Sequence, residues 1–152
     1  MATSSTLDAS STRSWIWAAI IVQGLGYLFD VFWHGVLNPG REPTTVAEMV
    51  RHLATVHLPL YLGALLVLVT TARAVARQAR HGAPGRAPYA ALAGTVLSAG
   101  AEAWHAAEHL QLDTHTAPVA GILSAVGYLI VVGAMLSGRP GKRSAESTAV
   151  RL

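Results

Sequence analysis

Ionisable side chains concentrate in an otherwise apolar stretch around residues 102–109, which contains Glu102, His105, Glu108 and His109. Such groups are costly in hydrocarbon, so their presence inside an apolar run indicates a functional site. On a helix, Glu102, His105 and His109 lie within about 60° of one another. Glu108 points about 100° away from His109. We therefore expect three of the four side chains to form one wall of a site.

Further candidates of the same chemical types lie elsewhere in the chain. Asp30 and His34 are four residues apart and share a helix face. The predicted metal ligands are Asp30, His34, His57, Glu102, His105 and His109, with His52, Glu108 and His115 as possible additions. A carboxylate of this set that is not bound to metal, Glu102 or Asp30, is the predicted catalytic proton acceptor.

The chemistry of this set indicates a transition metal. The chain has no cysteine, so any metal must be held by nitrogen and oxygen. The pair Glu102 and His105 has the Glu-x-x-His spacing used by di-iron carboxylate bundles, although this chain offers more histidine than carboxylate. Nitrogen-rich sites suit iron, copper or zinc and suit magnesium or calcium poorly. We expect iron or copper, with zinc as a further possibility.

Two short motifs resemble those of known metalloenzymes. His105-Ala106-Ala107-Glu108-His109 resembles the H-x-x-E-H motif of the inverzincin peptidases, in which two histidines bind zinc and the glutamate acts as base. Asp30-x-x-x-His34 resembles part of a copper-ligand pattern in the membrane subunit of particulate methane monooxygenases. Each resemblance covers only a few residues, so neither carries an activity to this chain.

The elements that must position these residues are transmembrane helices. Of the 152 residues, 52% are hydrophobic and 12% charged, a membrane composition. Apolar runs predict an all-α integral membrane protein, a four-transmembrane-helix bundle with spans at about 15–37, 46–76, 88–110 and 117–137. Residues 1–14, rich in Ser, Thr and Ala, are predicted to be disordered, and residues 138–152 to form a basic tail.

The basic residues set the predicted orientation. Of the eleven lysines and arginines, only Arg41 and Arg51 lie outside the two termini and the loop between the second and third spans. The positive-inside rule then predicts a multi-pass protein of the cell membrane with both termini in the cytoplasm. The net charge of +3 is scattered at the edges of apolar runs, which indicates topology and contact with the lipid bilayer and does not indicate nucleic-acid binding.

This topology gathers the candidate residues in the outer half of the membrane. A weak internal repeat points to the same centre, because Phe32-Trp33-His34 parallels Ala103-Trp104-His105. Histidines also open the second and fourth spans, His57 before Pro59 and His115 before Pro118. Two duplicated helical hairpins would bring these four histidines together.

The function predicted from these observations is a metal-dependent membrane oxidoreductase that acts on a lipophilic small molecule. A non-enzymatic metal-binding or metal-transfer protein would use the same ligands. A bis-histidine haem protein for electron transfer is less favoured, because carboxylates lie beside the ligands. Ion or proton transport is least favoured, since the inner half of the spans has few polar groups. The remaining alternative is a hydrogen-bonded network that only fixes helix packing.

Overall fold

The computed structural model describes residues 4–82, 85–113 and 117–137, and within them it contains helices and turns but no strand. Five α-helices follow one another: α1 (Ser4–Phe32), α2 (Val46–His52), α3 (Leu58–His81), α4 (Arg86–Leu110) and α5 (Ala117–Ser137). Two single-turn π-helices are inserted among them, π1 (Trp33–Leu37) after α1 and π2 (Leu53–His57) between α2 and α3. Because π2 joins α2 to α3 without a break, Val46–His81 forms one long rod.

Local sequence explains where several of these helices begin and end. After π1 the chain reverses at Pro39 and Gly40, and Gly40 adopts a left-handed backbone conformation with φ of 68°. Thr45 caps α2, because its hydroxyl accepts a hydrogen bond from the Glu48 amide at 3.3 Å. α4 ends in a Schellman motif, in which the Asp113 amide donates to the Glu108 carbonyl at 3.0 Å.

Glycines set the close packing of the helices. A Cβ on Gly26 would lie 2.5 Å from the Leu60 backbone, and one on Gly63 would collide with the Gln23 backbone, so α1 and α3 approach closely. Gly94 and Gly127 play the same part between α4 and α5. Small residues allow this approach in lipid, where packing drives helix association. With α3 also packed against α4, the packing of the four long helices is that of a helical bundle.

Three of the described helices are long and apolar enough to span a membrane: Ser11–Leu37, Val46–His81 and Pro118–Ser137. Large apolar side chains, including Leu25, Leu62 and Leu129, are exposed along their outer faces. This fits a membrane protein. α4 has 25 residues but is less apolar, since it carries the polar residues around Glu102 and many alanines and glycines. It packs between α3 and α5 as the fourth helix of the bundle.

The amino-terminal region differs from its prediction. α1 begins at Ser4, so the helix extends through most of the stretch for which the composition predicts disorder. Two side-chain contacts hold the helix there: Arg13 donates to the Met135 carbonyl at 2.7 Å, and Arg77 donates to the Thr12 hydroxyl at 3.3 Å. The predicted basic tail, residues 138–152, lies outside the described residues.

Candidate metal centre

Three segments of the bundle bring five histidines and one aspartate together at one end. The end of α1 and the start of π1 supply Asp30 and His34, the rod around π2 supplies His52 and His57, and the last turns of α4 supply His105 and His109. We call this group, Asp30, His34, His52, His57, His105 and His109, the histidine cluster.

The π-turn between α2 and α3 aligns two of the histidines. In an α-helix, residues five apart are separated by about 140° around the axis, which would point His52 and His57 in different directions. In π2 the backbone bonds from i to i+5, and the two Nε2 atoms come within 3.1 Å. Pro59 favours this irregularity, because it lacks the amide that an α-helix would direct to the Thr55 carbonyl.

The pair on α4 needs no such distortion. His105 and His109 are four residues apart on a regular α-helix and therefore share a face. Their Nε2 atoms are 3.0 Å apart and their rings meet edge-on, with centroids separated by 4.3 Å. The two pairs thus present four nitrogens toward a common space between α3 and α4.

His57 is the centre of the cluster. Its ring centroid lies 4.8 Å from that of His52, 5.3 Å from those of His105 and His109, and 5.6 Å from that of His34. The Tyr61 ring stacks on its other side at 5.7 Å. The His57 side chain is only 1% exposed, so its position is fixed by neighbours on all three segments.

Asp30 joins two of the histidines through one carboxylate oxygen. Its Oδ1 atom lies 2.9 Å from His57 Nδ1 and 3.7 Å from His34 Nε2. The shorter contact is within ion-pair distance, and both atoms are buried. His109 Nδ1, in contrast, is buried without a hydrogen-bond partner. Buried polar atoms left in this state are costly unless another group satisfies them.

The nitrogen geometry matches that of metal ligands. Two overlapping triads offer ligand atoms within 4.8 Å of one another: His34, His52 and His57 form the first, and His57, His105 and His109 the second. Two nitrogens bound to one ion at about 2.0–2.1 Å are about 2.9 Å apart at a right angle and about 3.4 Å apart in a tetrahedron. The observed Nε2 separations of 3.0 and 3.1 Å fall between these values. Buried histidines in these triads could therefore hold a metal ion.

Glu102, a predicted ligand and proton acceptor, belongs to neither triad of the described residues. It is buried beside the hydroxyls of Ser124 and Tyr27, at the end of a chain of side-chain hydrogen bonds. In this chain Tyr27 contacts Ser124, Ser124 bonds Ser98 at 3.0 Å, and Ser98 accepts from Gln23 at 2.8 Å. We call these five residues the polar chain. Glu102 is close enough to His57 and Asp30 to interact with them electrostatically, although no hydrogen bond among the described residues joins the chain to the cluster.

The remaining candidates are placed as follows. Glu108, which has the position of the base in the H-x-x-E-H motif, is half-buried and lies outside both triads, although His105 and His109 of that motif do converge. His52, predicted only as an addition, is buried within the first triad. His115 lies outside the described residues. The catalytic roles predicted for Glu102 and Asp30 stay predictions.

Sequence reasoning missed two neighbours of the cluster. Glu42, from the loop between π1 and α2, approaches His34 Nδ1 at 3.7 Å. Tyr61 stacks on His57. The four-residue spacing of His57 and Tyr61 is a signal that would have placed the tyrosine on the same face, whereas nothing in the sequence fixes the direction of Glu42.

Comparison with known proteins gives no family for this chain. No family model, curated protein or solved structure matches it. Any function must therefore be argued from the cluster itself and from the helices that hold it.

Proposed function

We propose that this protein is a membrane-embedded transition-metal protein whose ion is bound by the histidine cluster. The observation that carries the proposal is the convergence of five histidines from three separate segments into two overlapping triads, with Asp30 against the shared His57. The long apolar helices around the cluster support a site within the membrane. The ion would take nitrogen ligands from the triads, with the Asp30 carboxylate as an oxygen ligand or as the group that orients His57.

A purely structural network explains this arrangement less well. Each neutral imidazole has one donor and one acceptor nitrogen, so a network of five needs matching partners for both. The Nε2 atoms of His52 and His57, and those of His105 and His109, can each form one hydrogen bond only if one ring donates and the other accepts, and His109 Nδ1 is buried without a partner. If the rings were protonated instead, their positive charges would repel one another at these distances. A cation bound between the facing Nε2 atoms would accept their lone pairs directly, so that neither matched tautomers nor protonated rings are needed.

The donor set favours iron, copper or zinc. Five imidazoles and one carboxylate are borderline nitrogen and oxygen donors, which bind these ions better than magnesium or calcium. Haem is a poorer fit. A porphyrin would have to lie between two axial imidazoles, but neighbouring rings of the cluster are already packed at centroid separations of 4.3–6.2 Å.

Within this class, we favour a metal-dependent oxidoreductase for a lipophilic small molecule. An apolar groove of about 400 Å³ opens between α1 and α5, lined by Ile21, Gly24, Leu25, Tyr27, Leu28 and Tyr128. Tyr27 belongs to both the groove and the polar chain that ends at Glu102. A lipid-soluble molecule in this groove would therefore contact a side chain connected to the neighbourhood of the metal. Apolar pockets with a few polar groups are typical ligand sites.

A second candidate is a non-enzymatic protein that binds or passes on a metal ion. It is favoured by the number of protein donors, because six side chains could fill the coordination positions of an ion and leave none for a substrate. The two candidates differ in how fast the bound metal ion should exchange with a chelator. A carrier should release its ion rapidly to a chelator, whereas an enzyme should retain the ion and change its optical spectrum when a lipid-soluble quinone or quinol is added in nanodiscs.

The proposal is tested by metal analysis and an optical spectrum of the protein purified from membranes. We expect at least one transition-metal ion per chain and no Soret band. The variant His105→Ala should lose metal, while His81→Ala, at the exposed far end of α3, should retain it. Equal metal contents in the two variants would contradict the assignment of the site, and a Soret band would favour the haem alternative.

A further inference from the structure

A route from the aqueous surface into the histidine cluster follows the loop between π1 and α2. The exposed fraction of the side chains falls in steps along it, from 48% for Glu42 to 27% for His34, 22% for Asp30 and 1% for His57. Consecutive members are close to one another: Glu42 lies 3.7 Å from His34, His34 lies 3.7 Å from Asp30, and Asp30 lies 2.9 Å from His57. Every step is a group that binds cations.

His34 connects the exposed end of this route to its buried end. Its Nδ1 lies 3.7 Å from the Glu42 carboxylate and its Nε2 lies 3.7 Å from the Asp30 carboxylate, so each ring nitrogen has a carboxylate near it. The π1 turn supports this position, because the Asn38 amide closes it on the Trp33 carbonyl at 2.8 Å. A cation that reaches Glu42 can therefore pass from one carboxylate to the other across a single imidazole.

The loop that carries Glu42 is held at both ends. The Arg41 amide bonds the Asn38 carbonyl at 3.2 Å on one side. On the other side, the Glu48 carboxylate accepts hydrogen bonds from the amide and hydroxyl of Thr44, at 3.2 and 3.3 Å. Glu48 is thus engaged in capping α2. Glu42, only six residues earlier in the chain, is the acidic residue of this loop whose carboxylate approaches the cluster.

We propose that Glu42 is the entry ligand of the metal centre, an exposed carboxylate that captures a divalent transition-metal cation from the extracytoplasmic solution and passes it through His34 to the buried histidines. This inference rests on the proposed function, since it requires that the cluster bind metal. It adds Glu42, which belongs to neither triad, and it states from which side the ion enters the site. A carboxylate at the mouth of a site raises the local cation concentration and so accelerates association.

The test is stopped-flow binding of Co²⁺ to the apoprotein in detergent, monitored by its visible absorption. For Glu42→Gln we expect association about 3- to 10-fold slower at low ionic strength, with the final absorption amplitude and spectrum unchanged. Glu42→Asp keeps the charge and should recover most of the rate. Glu48→Gln is the matched control, because it removes the same charge from the first turn of α2, which follows this loop, and glutamine can still cap α2; its rate should equal that of the wild type.

Salt gives a second readout. The difference between the wild type and Glu42→Gln should shrink in 1 M salt, where the Debye length falls to about 3 Å. Equal rates for the two proteins at low salt would overturn the proposal. A lower amplitude or an altered spectrum in Glu42→Gln would also overturn it, because Glu42 would then be a permanent ligand. Absence of Co²⁺ binding by the wild type would instead refute the proposed function, and this inference with it.

Discussion

Replacement of His57 by alanine is the most informative perturbation of the metal centre. His57 is the one histidine that the two triads share, and its ring lies within 5.6 Å of the rings of four other histidines. Removal of any other histidine leaves one triad complete. His57→Ala, in contrast, leaves each triad with two histidines.

The magnitude follows from the number of ligands lost. Structural zinc sites with four ligands bind with about 10–16 kcal/mol, or roughly 3 kcal/mol per ligand. Because about 1.4 kcal/mol corresponds to a tenfold change in Kd, His57→Ala should weaken metal binding by about 100-fold or more. His105→Ala removes a ligand of the second triad only, so it should lose metal on purification but weaken binding less than His57→Ala does.

The assay is a Zn²⁺ titration of the apoproteins against a chromophoric chelator in detergent. The matched control is Gln23→Ala, since Gln23 is also 1% exposed but belongs to the polar chain. It should lose stability without losing metal affinity. A Kd for His57→Ala within threefold of the wild type, or the same loss in Gln23→Ala, would refute the assignment of His57 as the central ligand.

Three further predictions address the elements that hold the site. Pro59→Ala restores an amide that can complete an α-helix, which would turn His52 away, so metal affinity should fall about 10- to 100-fold; an unchanged affinity would show that the proline does not maintain π2. Gly63→Val forces a methyl group into the backbone of α1 and should lower the free energy of unfolding in detergent by about 1–3 kcal/mol, whereas Gly121→Val meets open space and should change it by less than about 0.5 kcal/mol. Similar losses in both glycine variants would contradict the packing argument. Ser98→Ala interrupts the polar chain and should cost about 0.6–1.7 kcal/mol in the same unfolding assay, with no change in metal content; loss of metal would mean that the chain supports the centre directly.

Hydrophobic patterning predicted most of the fold. The helices α4 and α5 begin and end within two residues of the expected limits, and the rod Val46–His81 begins where expected and runs five residues further. Patterning works here because apolar runs must be long enough to cross hydrocarbon. It failed at the amino terminus, where polar residues are held in α1 by contacts from Arg13 and Arg77 to distant helices, which local composition does not contain.

The candidate site was predicted in part. Assignment of alternate helix ends to one membrane face was enough to expect His34, His57, His105 and His109 near one another, and the structure brings them together. His52 was predicted only as a possible additional ligand. The π-turn that aligns it with His57 departs from the α-helical angle of about 100° per residue and could not be read from the sequence. Glu102 has the spacing of a ligand, but burial beside Ser124 and Tyr27 gives its carboxylate other partners. Ser124 and Tyr27 are distant from Glu102 in the chain, so only the folded structure shows that they lie beside it.

The two halves of the chain also differ in a way that spacing did not reveal. In the first half the histidines lie within or next to two π-turns, whereas α4 in the second half is a regular helix throughout its described length. Because His115 lies outside the described residues, the proposed duplication of two hairpins stays a prediction. The difference has a physical consequence: the first half needs backbone irregularity to aim its histidines, and the second half does not.

X-ray absorption spectroscopy of the metal-loaded protein in detergent tests the central claim most directly, because it reports the atoms around the ion. The histidine cluster predicts at least three nitrogen or oxygen neighbours at about 2.0–2.1 Å, the range for zinc bound to histidine, together with the outer-shell scattering of several imidazole rings. This imidazole scattering should fall in His57→Ala. A spectrum without imidazole scattering, or one that is identical in the wild type and His57→Ala, would contradict a metal centre built on this cluster.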